Sequence, residues 1–352
     1  MVDWLSSMQQ TYEYYIVDPG TWKDVKKIDN VISCTIDRDD SAPTLGSATI
    51  KIGDSVGECY IRAYLITIQN GVREKHPLGT YLIQTPSTSF NGKIQNISMD
   101  AYTPLLELKE KHPPLGYSVL KGENIMDVSY RLTRDNVRAP VVQTGCSASL
   151  FSDFVAETDD TWLTFLTDLL ANAKYTFGLD EMGRVLFKPK QDTASLQPVW
   201  TYNDDNSSIL YPELSLDHDM YGIPNVVEVI YSNGAEHYYS RVVNDDPNSP
   251  ISTVNRGREI VYRETNPSII GDPTDNQIDE YAEQLLRNLS SLEYTITYTH
   301  GYCPVRVGDC VRFNYSRAGL KDIKAKVISQ SIKCEAGCKV TEKAVFTNRL
   351  WR

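Results

Sequence analysis

The chain has 352 residues, 41% hydrophobic and 23% charged, with 35 Lys+Arg against 46 Asp+Glu and a net charge of −11. This length supports two or three domains with sizeable cores, and the composition excludes a disordered chain. The acidic balance argues against nucleic acid or an anionic membrane as a bound partner, and no apolar run reaches the roughly 18 residues of a membrane span.

The start, Met1 to Tyr15, lacks the basic flank and apolar centre of a secretory signal. Residues 11–100 read as strands. Val31–Ile36 is β-branched and ends at the polar stretch Asp37 to Ser41. Ala48–Ile52 alternates and stops at Gly53-Asp54, and Tyr60–Gln69 is long and apolar. Asn70-Gly71 after it is a hairpin signal. Gly79–Gln84 and Ile94–Tyr102 follow. Short strands with turn residues about every 8–12 positions predict a barrel or sandwich.

The period then changes. Glu123–Asp135 places Ile125, Val128 and Leu132 on one helical face. Thr158–Lys174 predicts a second helix with Trp162, Phe165, Leu166, Leu169, Leu170 and Ala173 on one stripe. Thr158 is its expected cap, with Asp159-Asp160 at the positive end of the dipole. Tyr175–Lys188 reads as a hairpin turning at Asp180–Gly183, so residues 110–190 have α/β character.

The last part is mostly strand with one helix. Asn225–Tyr231, ended by Ser232-Asn233-Gly234, and Arg258–Arg263 are predicted strands. Asp245–Ser249, Asn266-Pro267 and Asp272-Pro273 mark loops. Thr274 and Gln277 form a capping box opening a helix whose Ile278, Tyr281, Ala282, Leu285, Leu286 and Leu289 share a face. Strands resume at Glu293–Thr299, Cys310–Tyr315 and Lys324–Ile332, with turns at Gly308-Asp309 and Ala318-Gly319. No flexible linker stands out, which predicts intimately packed domains.

Chemistry-bearing motifs are sparse. The sequence has no P-loop, no G-x-G-x-x-G, no His-Glu-x-x-His and no G-x-S-x-G. Its five histidines are His76, His112, His218, His237 and His300. Asp217-His218-Asp219 is the nearest to a reactive cluster, but adjacent strand residues face opposite ways, and a solvated loop is the expectation. The seven cysteines are an odd count without a signal, which points to reduced thiols in a cytosolic compartment. Cys303, Cys310, Cys334 and Cys338 are the one candidate metal cluster, for zinc or iron–sulfur. Neither pair has C-x2-C spacing, so buried structural thiols are expected, with no cofactor. The acidic pairs Asp39-Asp40, Asp159-Asp160, Asp204-Asp205 and Asp245-Asp246 lack EF-hand spacing and read as turns and caps. Tyrosine outnumbers phenylalanine 22 to 8, which suits both strands and half-wet interfaces.

The order of segments resembles the baseplate hub, or tail-associated, proteins of bacteriophage tails and contractile injection systems. Pro77-Leu78-Gly79-Thr80-Tyr81-Leu82-Ile83 followed by Ile97-Ser98-Met99-Asp100-Ala101-Tyr102 is similar to a strand pair of that family, with Thr103 where the pattern has Asp. Thr161-Trp162-Leu163 through Leu169-Leu170, then Gly183-Arg184-Val185-Leu186, resembles the helix and hairpin of its insert domain. Ile209–Leu216 and Ile223–Val227 resemble the start of a second barrel. Val305–Arg312 with Ala325–Ser329 resembles the closing strands.

The resemblance implies a mainly β fold with an α/β insert (α+β): two related β-barrel, tube-type domains and a small α/β domain. The implied boundaries are 1–108 for the first barrel, 109–200 for the insert, and 201–352 for the second barrel with an amphipathic helix at 274–290. It implies a non-enzymatic virion protein, a homotrimer whose six quasi-equivalent barrels join a hexameric tail tube to a threefold spike or tip. Expected partners are the tail tube or distal tail protein, the central spike or tip protein and other baseplate proteins. No membrane is expected, and DNA only passes through the lumen, where an acidic chain would not hold it. Assembly is expected in the bacterial host cytoplasm. The chain ends at Arg352 directly after the second barrel, so any lytic activity is expected from another protein. Two other readings are a tail-tip module binding host cell-wall carbohydrate in a groove of exposed aromatics, and a two-carboxylate glycosidase, for which no motif speaks.

Overall fold

The computed structural model describes residues 2–53, 56–92, 94–191, 193–205, 208–232, 237–265, 267 and 274–350. Seven strands come first: β1 (Gln9–Val17), β2 (Asp24–Ile28), β3 (Val31–Asp39), β4 (Gly46–Ile52), β5 (Tyr60–Gln69), β6 (Val72–Asn91) and β7 (Ile94–Tyr102). A mixed stretch follows: α1 (Leu106–Lys109), β8 (Ser118–Val119), α2 (Ile125–Asn136), β9 (Phe154–Val155), α3 (Trp162–Asn172), β10 (Tyr175–Leu179) and β11 (Val185–Pro189). Then come β12 (Pro198–Asn203), β13 (Leu210–His218), β14 (Val226–Ser232), β15 (His237–Val243), α4 (Thr253–Arg256), β16 (Val261–Glu264) and α5 (Asp275–Leu289). The chain closes with β17 (Ser291–Gly301), β18 (Cys310–Tyr315), β19 (Leu320–Lys333) and β20 (Lys339–Arg349). The molecule is mainly β with large antiparallel sheets, and no closed barrel is found among the described residues. No helix among them is long and apolar enough to cross a membrane.

The chain divides into two compact units, one of Met1–Leu214 with Tyr298–Ala344, the other of Ser215–Thr297 with Val345–Arg352. In the first unit the early strands run in the order β2-β1-β5-β6-β7-β4-β3. β3 then pairs antiparallel with β19, and β19 pairs with β18, which pairs in parallel with β12.

Local rules explain most of these strands. In β4, Ala48, Ile50 and Ile52 are buried at alternate positions, the pleat of a half-buried strand. β5 is buried on both faces from Tyr60 to Thr67. Ile61, Ala63 and Leu65 enter the core with Ile36, Ile50 and Met99, while Tyr60 joins the core of the α/β stretch. That two-sided burial is why the sequence there is a continuous apolar run. Asn70 and Gly71, at φ 51° and 78°, turn β5 into β6 as the Asn-Gly signal predicts.

Several expectations need correction. Gly79–Gln84 is the middle of a 20-residue strand. Ala63 faces Gly79 and Tyr64 faces Pro77, so a register shift leaves Leu78 extra and lets β6 run through a proline that donates no hydrogen bond. The second helix starts at Trp162, and its cap is Thr161, not Thr158. Thr161 Oγ1 accepts from the Thr164 N–H at 3.2 Å and Thr164 Oγ1 from the Thr161 N–H at 2.9 Å, a box that outcompetes the earlier threonine. Asp160 is a turn residue that accepts from Thr164 Oγ1. The Arg258–Arg263 strand is only Val261–Glu264 and runs parallel to β14. Asn233, Gly234, Asp54, Asn266, Asp272 and Pro273 lie outside the described residues.

In the second unit, α5 packs on the three-stranded sheet β15-β14-β16. Ile278, Ala282 and Leu286 are buried against Val227 and Val229. The Thr274–Gln277 capping box is formed as read.

Candidate functional site

A hairpin tip of the α/β stretch is tied to the early strands by a cluster of hydrogen bonds. The Met182 carbonyl, in the β10–β11 turn, accepts from Trp22 Nε1 at 2.7 Å, Thr80 Oγ1 at 3.0 Å and Arg62 Nη2 at 3.1 Å. Arg62 is 1% exposed and also donates to Asp24 Oδ1 at 2.8 Å and Thr80 Oγ1 at 2.8 Å. Gly183 next to it has φ 76°, and a Cβ there would sit 2.6 Å from Thr80 Cβ. Only glycine allows that approach.

Beside this tip lies a cleft of about 710 Å³ lined by β3, β6, the β10–β11 hairpin and residues 306–310. Its wall carries balanced charges, including Arg38, Asp40, Glu181, Lys188, Arg306 and Lys326. Several are paired: Arg306 with Glu181, and Lys326 with Asp40 at 3.1 Å. Burial raises the Asp309 carboxyl above its ordinary value.

Behind the cleft wall an ionic network runs into the interior. Arg38 donates to Gln330 Oε1 at 3.0 Å and to the Leu78 carbonyl at 2.6 Å. Gln330 donates to the Val305 carbonyl at 2.8 Å and to Glu342. The other Glu342 oxygen accepts from the Tyr298 hydroxyl and lies 3.3 Å from His300 Nε2. The Tyr202 hydroxyl is 3.1 Å from His300 Nε2 and 3.4 Å from Cys303 Sγ. His300 Nδ1 faces the Gly301 carbonyl at 2.6 Å.

His300 and Glu342 are both fully buried. Burial disfavours the charged imidazole, but the Glu342 carboxylate and Cys303 outweigh it and hold His300 up to about 10. Burial likewise opposes the charged carboxylate, yet His300, Tyr298 and Gln330 keep Glu342 below its usual range. The pair is therefore imidazolium and carboxylate, with both imidazole nitrogens donating. Desolvation, then Glu342, raises both tyrosines, which stay neutral donors. Sealed from solvent, this cluster organises the interior and strengthens a wall of the cleft.

The sequence-derived candidates do not converge. Among the described residues no three His, Cys, Asp or Glu side chains are placed to hold a metal ion. Cys303 belongs to the His300 network. Cys310 is buried with its thiol toward the Val311 carbonyl. Cys334 faces Cys34, and Cys338 lies beside Tyr12. Asp217 and His218 lie in strand β13 rather than the expected loop: Asp217 accepts from Ser215 Oγ, and the His218 ring is tilted 37° at 5.0 Å from Tyr294, while Asp219 just beyond the strand accepts from the Tyr221 N–H. Asp39 caps Ser41, Asp204 accepts from Ser316, and Asp246 accepts from Asn248. Arg62 was visible as a cation inside an apolar run, and Tyr298 and His300 as same-face residues two apart, but Glu342 gave no local signal.

No family model matches the sequence, and no curated protein does. Solved structures match it nearly end to end. A tail protein from Neisseria meningitidis MC58 aligns at 15% identity and TM-score 0.62, over 96% of this chain and 97% of that one. The 43 kDa tail protein of prophage MuSo2 from Shewanella oneidensis aligns at 11% identity and TM-score 0.64, over 97% and 99%. The chain has the fold of these tail proteins. The same tail-protein fold extends to the E. coli c3393 protein, described as a component of the type VI secretion system with structural similarity to T4 tail proteins gp27 and gp5. There the identity is 8% and the TM-score 0.52, over 93% of this chain and 76% of that one.

Proposed function

We propose that this chain is a structural, non-catalytic hub of a phage-type tail baseplate or tail tip. In this reading it forms a homotrimer whose six barrel-like domains sit on a hexameric tail tube and present threefold symmetry to a spike or tip, with DNA passing through the lumen. Residues 1–108 and 201–352 are the two barrel-type domains, and 109–200 is the insert. The observation that carries the reading is the match along the full length of both this chain and two tail proteins. The carbohydrate-binding alternative gains nothing from the cleft, whose Tyr81 and Phe177 rings are buried.

Light scattering with negative-stain imaging of the purified protein, alone and with a tail tube protein, tests the reading. The expected particle is a ring near three times the 39.8 kDa chain mass. A monomer in both conditions would overturn it.

A further inference from the structure

We propose that Cys34 and Cys334 are a cross-strand dithiol that closes to a disulfide under a small-molecule disulfide oxidant, clasping β3 to β19. The register places them face to face. Thr35 pairs with Lys333 at the end of the β3–β19 ladder, and the next backbone bond runs from the Cys334 N–H to the Cys34 carbonyl at 2.9 Å. Directly opposed residues of a hydrogen-bonded antiparallel pair have Cα atoms about 5.5 Å apart, inside the roughly 4.4–6.8 Å that a disulfide spans. Both side chains lie on the core face with Ile36 and Ile332. Cys34 is buried and Cys334 half-buried, so the oxidant meets Cys334 first. The Cys334 thiol is held protonated at neutral pH by its hydrogen bond to Cys34 and by burial, so the reaction is slow.

The chemistry balances with oxidised glutathione. The Cys334 thiolate, its proton lost to solvent, attacks one glutathione sulfur, and a glutathione thiolate leaves. The Cys34 sulfur, deprotonated in turn, attacks the Cys334 sulfur of the mixed disulfide and expels the second glutathione thiolate. Two protein thiols are oxidised and one glutathione disulfide is reduced to two thiols. β3–β19 is the ladder joining the early strands to the late ones, so the bond would lock that junction. A reducing compartment would leave it open, and an oxidising one would close it.

The test treats the native full-length protein with oxidised glutathione, quenches it with acid, counts thiols after denaturation and maps non-reduced tryptic peptides by tandem mass spectrometry. Seven cysteines give seven thiols before treatment, and the count should fall by two to five. The peptide 28–38, which holds Cys34, should be joined to 334–339. Because 334–339 also holds Cys338, fragments between the two cysteines assign the partner. A bond to Cys338, a Cys334–Cys338 bond, a persistent glutathione adduct on Cys34 or Cys334, or both of these thiols remaining free would each overturn the proposal. A Cys338→Ala variant should form the 34–334 bond to the same extent.

Discussion

The early and late strands of the first unit fill their interiors in different ways. Behind β3–β7 the core is mostly aliphatic: Ile36, Ile50, Ile52, Ile61, Leu65, Ile83, Ile97 and Met99 are all buried, with Tyr14 and Tyr81 among them. Behind β17–β20 the fully buried large side chains include Tyr202, Tyr298, His300 and Glu342, with Gln330 nearly so. An aliphatic core tolerates small changes of shape, because each contact is weak and non-directional. An ionic core fails when one member is removed, since a charge is left without a partner in a medium that cannot solvate it.

Glu342→Ala is thus the largest expected effect that sets the two interiors apart. It strands an imidazolium, two hydroxyls and an amide, and should cost about 3–5 kcal/mol in urea unfolding. A loss under 1 kcal/mol would mean water replaces the carboxylate and the interior is not sealed.

The pH dependence reads the same pair. His300 is raised, so its contribution is complete below the unfolded value of about 6.5 and is lost as pH rises towards about 10. Glu342 is lowered, so its contribution is complete above an unfolded value of about 4.3 and is lost as pH falls through its folded value. Unfolding free energy should therefore decline from pH 6.5 to 10, and His300→Gln should decline less over that window. Equal slopes would place the titration elsewhere.

Gly183→Ala comes next. Its positive φ and the 2.6 Å approach to Thr80 Cβ should lift the hairpin tip, at about 1–3 kcal/mol. The Trp22 Nε1 bond to the Met182 carbonyl gives a local readout, because its loss shifts tryptophan emission. An unchanged spectrum with lowered stability would mean that the tip stays seated and the strain is borne elsewhere.

These effects also mark what the sequence could reveal. The Tyr60–Gln69 strand, the Asn70-Gly71 turn, the Tyr175–Lys188 hairpin and the Thr274 capping box were legible because their causes lie within a few residues of each other. Their order carried the mainly β character, whereas the two-barrel part of the expectation rested on the resemblance, and no closed barrel is found among the described residues. The parallel strand Pro198–Asn203 was not legible, since its partner β18 is more than a hundred residues away. Nor was the ionic core. His300 was visible only as one of five histidines, while its charge depends on a carboxylate 42 positions along and on burial beside Tyr202, 98 positions earlier. The four late cysteines looked like a group on spacing alone, but Cys303 joins the His300 network, Cys310 turns toward the Val311 carbonyl, and only Cys334 and Cys338 share a core.

In the aliphatic core, Ile50→Val removes one methylene at a site only 1% exposed and should cost about 0.5–1.5 kcal/mol. A loss above 3 kcal/mol would make this interior as brittle as the ionic one and erase the contrast.

The smallest expected effect lies at the surface. Phe151 is 91% exposed, with Lys121 Nζ 5.5 Å from its ring centre. Nothing in a single chain needs that ring, and Phe151→Ala should change unfolding free energy by no more than about 0.5 kcal/mol. The same substitution at buried Phe165 would cost about 3–5 kcal/mol. An exposed aromatic that stability does not explain is free to serve association. Sedimentation of wild type and Phe151→Ala at matched concentration separates the two roles: equal stability with weakened self-association would place Phe151 at a subunit contact, and equal behaviour in both would remove it from the hub interface.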